Sequence, residues 1–251
     1  MTESLKVPSP DGEIEANLYL PDQPGPLVVF YMDAFGIRPA LQSMALRLVS
    51  AGYAVLLPNL YWRTGPYAPF NAATTFHDAP ERARILGLMN AVQQAKVGVD
   101  TVLLLNSLST HPQIRRGPVG LLGYCMGGRQ GLFAAAHLGD RAAALGSIHG
   151  GGLVRPGPDS PHLGAPRIRA RCYFAVADAD AACTPADLEV LSAALSAANV
   201  DFEVELYPGA LHGFAAPDMS VFNPRASDHH WDKVLALFGA TLWAEPRRGV
   251  G

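Results

Sequence analysis

Cysteine is scarce, with three in 251 residues. That is too few for the disulfide framework of a small secreted domain. Charge is sparse too: 16% of residues are Asp, Glu, Lys or Arg, and the net charge is −3. Without a basic excess, neither nucleic acid nor an anionic membrane face is an expected partner. There is no apolar run of about 18 residues, so no transmembrane helix is expected. The opening stretch from Met1 to Pro8 has no apolar signal core, which makes the cytoplasm the expected location. His-Glu-x-x-His, paired Cys-x-x-Cys, calcium-loop, phosphate-loop and dinucleotide patterns are all missing. No metal or cofactor is therefore expected.

Apolar residues are abundant at 49%, and they are punctuated by 25 glycines and 21 prolines. Such a chain can bury a large core and join its elements by many short loops. Short apolar runs at 27–32, 53–58, 119–122, 142–148 and 172–177 predict strands buried on both faces, and the alternating run 202–207 an edge strand. Between them, 39–50, 80–108, 126–138, 185–198 and 227–242 have helical length. Strands alternating with helices predict an α/β fold, a mostly parallel sheet with helices on both faces, spanning 1–251 as a single domain. The Gly- and Pro-rich stretch 150–166 reads as a long surface loop. Ligands of such sheets sit beyond the carboxyl ends of the strands, so the polar residues just after each strand are the ones to inspect.

After the strand at 119–122 comes Gly123-Tyr124-Cys125-Met126-Gly127-Gly128. A nucleophile on a sharp strand-to-helix turn needs glycines on either side to avoid Cβ clashes. Cys125 is the expected nucleophile, at a helix N-terminus that favours a thiolate. The amide of Met126 is placed to donate to an oxyanion. Cys172 and Cys183 lack this context and read as core residues. After the strand at 172–177 stand Asp178 and Asp180; either could orient an imidazole, and Asp180 lies nearer the loop. After the last strand comes His212, between Gly209 and Gly213. It completes the order nucleophile, acid, histidine that α/β-hydrolases follow. His149, at a strand end before three glycines, is a candidate to line the pocket.

The sequence resembles the dienelactone hydrolase family, an α/β-hydrolase branch with a cysteine nucleophile. The resemblance runs through Pro10-Asp11-Gly12, Asp33-Ala34-Phe35-Gly36, Gly52-Tyr53, Pro58-Asn59-Leu60-Tyr61-Trp62-Arg63, the Cys125 turn, Tyr207-Pro208-Gly209-Ala210 and His212-Gly213-Phe214. It implies a catalytic set of Cys125, His212 and Asp180, with Ala34 as the second oxyanion donor. It also implies a thiol-gating carboxylate where this chain has Asp33, one methylene shorter than the family's glutamate. Of the two arginines with which the family holds its substrate's carboxylate, Arg63 matches one; the other position is Ala216.

The expected activity is hydrolysis of a small-molecule lactone or carboxylic ester through a Cys125 thioester, by a monomer or homodimer without a cofactor. A broad esterase or thioesterase would use the same machinery. A non-catalytic small-ligand binder is the rival from another class. A glutamine amidotransferase would want an acid at Phe214.

Overall fold

The computed structural model describes residues 1–243. Eight strands form one sheet: β1 (Thr2–Ser9), β2 (Gly12–Tyr19), β3 (Leu27–Tyr31), β4 (Ala54–Pro58), β5 (Val119–Tyr124), β6 (Ala142–Ile148), β7 (Arg171–Ala177) and β8 (Phe202–Tyr207), in the order β1-β2-β4-β3-β5-β6-β7-β8. From β4 to β8 every pairing is parallel, while β1 and β2 join antiparallel at one edge. The helices are α1 (Pro39–Ser50), α2 (Ala79–Ala91), α3 (Gln94–Ser107), α4 (Met126–Leu138), α5 (Pro185–Ala197) and α6 (Pro224–Leu242). Among these described residues no helix is long and apolar enough to cross a membrane.

The predicted α/β architecture is present. Every residue of β3, β4 and β5 is buried, as expected for strands covered on both sides. Three features differ from the expectation. The hairpin β1–β2 was not predicted; it is half-exposed and polar on one face, so its apolar signal is weak. The single helical stretch 80–108 is two helices, parted at Val92 and Gln93, whose backbones are extended.

The stretch 150–166 also departs from a plain surface loop. Its end coils into a 3-10 helix (Pro161–Arg167) against α4, where Gly164 is so close to Ala136 that a Cβ would lie 2.8 Å from the alanine's own.

Helix α4 lies against the sheet at the rim where the site forms. Its glycines explain how closely. A Cβ on Gly127 would meet the Tyr31 carbonyl oxygen at 2.3 Å, and one on Gly123 would meet the Gly127 oxygen at 2.0 Å. These contacts are with backbone, so no side-chain shift could relieve them. The start of α4 is thereby pressed onto the ends of β3 and β5.

Candidate active site

Cys125 is the N-cap of α4 and the first residue beyond β5. Its backbone has φ 52 and ψ −116, a region that costs a non-glycine residue about 1–3 kcal/mol. The glycine-permitted approach of α4 holds it there. Its N–H donates to the Ile148 carbonyl (3.1 Å), and its own carbonyl accepts from the Gly128 and Gly151 amides (both 3.1 Å). The turn is thus tied to β6 and to the loop beyond it.

Beyond β7, Ala179 takes φ 51 and so turns Asp178 and Asp180 to different tasks. Asp178 accepts from the Gly209 amide at 3.0 Å, pinning the end of β8. Asp180 accepts from the Ala182 amide at 2.8 Å and pairs with His212 Nδ1 at 2.7 Å. The other ring nitrogen, Nε2, lies 3.1 Å from Cys125 Sγ. The choice the sequence left open between the two aspartates falls geometrically on Asp180. Burial works against a charged His212, but the Cys125 sulfur and Asp180 outweigh it and push the imidazole's pKa up to about 10. The arrangement therefore favours the protonated imidazole.

Two backbone amides near this turn bear on it. Met126, the first residue of α4, has no intrahelical acceptor by position. The Ala34 amide, in the turn after β3, donates to no acceptor among the described residues. Tyr61 joins the two: its hydroxyl donates to the Ala34 carbonyl at 2.7 Å and lies 3.8 Å from Met126 Sδ. Sequence reasoning assigned Tyr61 no role, although it lies just beyond β4, where the strand-end rule directs attention.

Asp33 is paired with Arg38. Arg38 Nη1 and Nη2 donate to its two oxygens at 2.7 and 2.9 Å, and the Phe35 amide adds a bond at 3.0 Å. Its hydrogen bonds among the described residues go to these partners and none to the sulfur. Burial raises the Asp33 pKa, with Arg38 opposing. Arg38 also reaches Asp218 through Nε at 2.6 Å and Nη2 at 3.0 Å. Asp33 is thus one arm of an Asp–Arg–Asp brace between the turn after β3 and the segment after His212.

Arg63 is likewise committed elsewhere. Its Nη1 and Nη2 donate to Asp100 at 2.6 and 2.8 Å, its Nε to Asp11 at 2.9 Å, and its guanidinium stacks over Trp62. With all three nitrogens bonded to these aspartates, it fastens the β1–β2 hairpin to α3.

His149 is buried with φ 38, and its ring meets that of His212 edge-on at 5.2 Å between centroids. Burial, reinforced by His212 and His230, holds its pKa well below the usual histidine value, so it adds no charge beside His212. Over the Ala34 turn, Phe35, Phe70 and Ile85 form a small apolar cluster, with Tyr67 and Met219 packed on it.

The sheet order, with a cysteine at the end of β5 followed along the chain by the aspartate and histidine it lines up with, is that of the α/β-hydrolase fold. A profile of the dienelactone hydrolase family matches residues 14–242, and the chain belongs to that family. A Synechocystis sp. protein provisionally named carboxymethylenebutenolidase is 27% identical over 253 residues, spanning 96% of this chain and 97% of its own. The Pseudomonas putida carboxymethylenebutenolidase is 28% identical over 223 residues, covering 88% and 89% respectively. A solved Klebsiella pneumoniae structure, provisionally titled a dienelactone hydrolase, superposes with a TM-score of 0.80 at 24% identity, over 95% of this chain and 98% of that one. The chain is accordingly an enzyme of the ester- and lactone-hydrolysing kind.

Proposed function

We propose that the protein hydrolyses a small-molecule lactone or carboxylic ester through a thioester on Cys125. The observation that carries this reading is the unbroken line from Asp180 to His212 to the sulfur, 2.7 and then 3.1 Å, ending on a strained turn at a helix N-terminus. The thiolate attacks the carbonyl carbon, and the electron pair moves to oxygen. The Met126 and Ala34 amides hold that oxyanion, as such donors do in a site that excludes water. The carbonyl re-forms as the C–O bond to the alcohol or enol breaks, and the departing oxygen takes the proton from His212. The imidazole, now neutral, removes a proton from water as it attacks the thioester, and the thiolate leaves. Thiolate and imidazolium are then restored. An enol leaving group suits a sulfur nucleophile, because it is stabilised and returns less readily than an amine.

Cys125→Ala should lower kcat/KM for an activated ester on the order of 10⁴-fold or more. Mass spectrometry of enzyme quenched during turnover should show an acyl adduct on the peptide bearing Cys125. Near-full activity in the alanine variant would overturn the reading.

A further inference from the structure

β6 lies between the strand that ends at Cys125 and the strand that leads to Asp180, and the residue that follows it is His149. Its N–H donates to the Ala175 carbonyl of β7 at 2.7 Å, which fixes the backbone at that rim. There it takes φ 38, in the left-handed region where glycine is the unstrained choice. Such a conformation costs a non-glycine residue about 1–3 kcal/mol. Three glycines follow at once, Gly150 to Gly152, yet this position keeps a large side chain.

The ring is 1% exposed, and neither nitrogen has a hydrogen-bond partner among the described residues. Its engagement is with other rings. It meets Phe214 edge-on at 5.3 Å and Tyr124 at 5.8 Å between centroids, and both of these are fully buried. Phe214 stacks on Tyr207 at 4.9 Å, and the Tyr124 hydroxyl is tied to His230 Nε2 at 3.1 Å. Backed by this wall, His149 meets His212 at 5.2 Å with the two planes at 64°. Burial keeps the His149 ring uncharged, so it faces the protonated His212 as an aromatic surface rather than a second cation.

His212 needs such a neighbour. It stands in the loop after β8, with its side chain 30% exposed. The bonds from its two nitrogens, to Asp180 and to the sulfur, define an axis. An axis does not fix the tilt of a plane about it; a ring packed at an angle to that plane does.

We propose that His149 is a positioning residue for the reaction: its buried ring sets the tilt of His212 and so keeps Nε2 aimed at the Cys125 sulfur and at the departing oxygen. This rests on the hydrolase reading and adds to it a residue that acts through His212.

Two variants separate the ring from the backbone. Asparagine tolerates a positive φ, as histidine does, but has no ring; phenylalanine has the ring but tolerates that φ less well. With p-nitrophenyl butyrate, His149→Asn should lower kcat about 10- to 100-fold, as a displacement near 1 Å does, and leave KM within about twofold. His149→Phe should keep kcat within about threefold of wild type, even where urea denaturation shows it to be the less stable of the two. His149→Gly, which relieves the strain, should lose kcat as the asparagine variant does, so that either ringless variant can decide if the other fails to fold. A kcat near the wild-type value in a ringless variant overturns the role. So does a phenylalanine variant that falls as far as the ringless ones, or a loss confined to KM.

If the wild type shows no Cys125-dependent cleavage of the ester, the hydrolase reading fails, and the positioning is judged on the imidazole itself. The His212 Nδ1 proton, bonded to Asp180, should give a downfield proton resonance in the wild type and in His149→Phe, and a weakened or absent one in His149→Asn. The same resonance in all three overturns the positioning role.

Discussion

The imidazole of His212 sits between a sulfur and a carboxylate, and its protonation depends more on these neighbours than on its own chemistry. Cys125 is the largest of the influences that raise its pKa to about 10. Removing the sulfur should therefore lower the titration midpoint. Ring nitrogen chemical shifts of His212 should show little titration near pH 6.5 in the wild type, and a midpoint moved down from about 10 in Cys125→Ala. An unmoved midpoint would deny the pairing. The sign for stability follows: with the folded pKa raised above about 6.5, the charged ring stabilises the fold fully below that pH. This contribution is lost as pH rises toward about 10.

Much of this residue-scale arrangement was readable in advance. Gly123 and Gly127 flank Cys125 because backbone oxygens approach within 2.0 and 2.3 Å of where their Cβ atoms would be, and that need leaves its mark on local spacing. The fate of Arg63 left no such mark. Asp100 and Asp11, which claim it, are distant in sequence and look like ordinary surface acids until the chain is folded.

Among the elements, the Asp33–Arg38–Asp218 brace governs how the turn after β3 meets the segment following His212. The Arg38 side chain is 10% exposed and that of Asp33 4%, so losing the cation would strand a buried carboxylate. Arg38→Met should lower unfolding stability by about 3–5 kcal/mol, read from urea denaturation. The double variant Asp33→Asn/Arg38→Met should recover a substantial part, because the uncompensated charge is gone. If the losses simply add, the brace is not a coupled unit. The parallel strands were readable from their continuous apolar runs. The β1–β2 hairpin was not, because it presents polar residues to solvent and is anchored through Arg63 and Lys96 to Asp11 at its turn.

For the molecule as a whole, the buried histidines set the response to acid. Burial lowers the His230 pKa to about 3 and holds that of His149 well below its usual value. The unfolded chain binds protons at both below about pH 6.5, whereas the native state resists. Stability from these groups is therefore complete above about 6.5 and declines as pH falls toward about 3. Urea midpoints measured from pH 7 downward should fall accordingly. His230→Gln, which can retain a bond to the Tyr124 hydroxyl, should flatten that slope; an unchanged slope would remove His230 as a contributor.

The topology has a further consequence, during synthesis. The sulfur stands at the end of β5, its acid follows β7, and the imidazole follows β8, the last strand laid down. A ribosome emitting this chain releases the thiol well before the imidazole that comes to face it. The line from Asp180 through His212 to the sulfur is thus assembled only when the carboxy-terminal third docks.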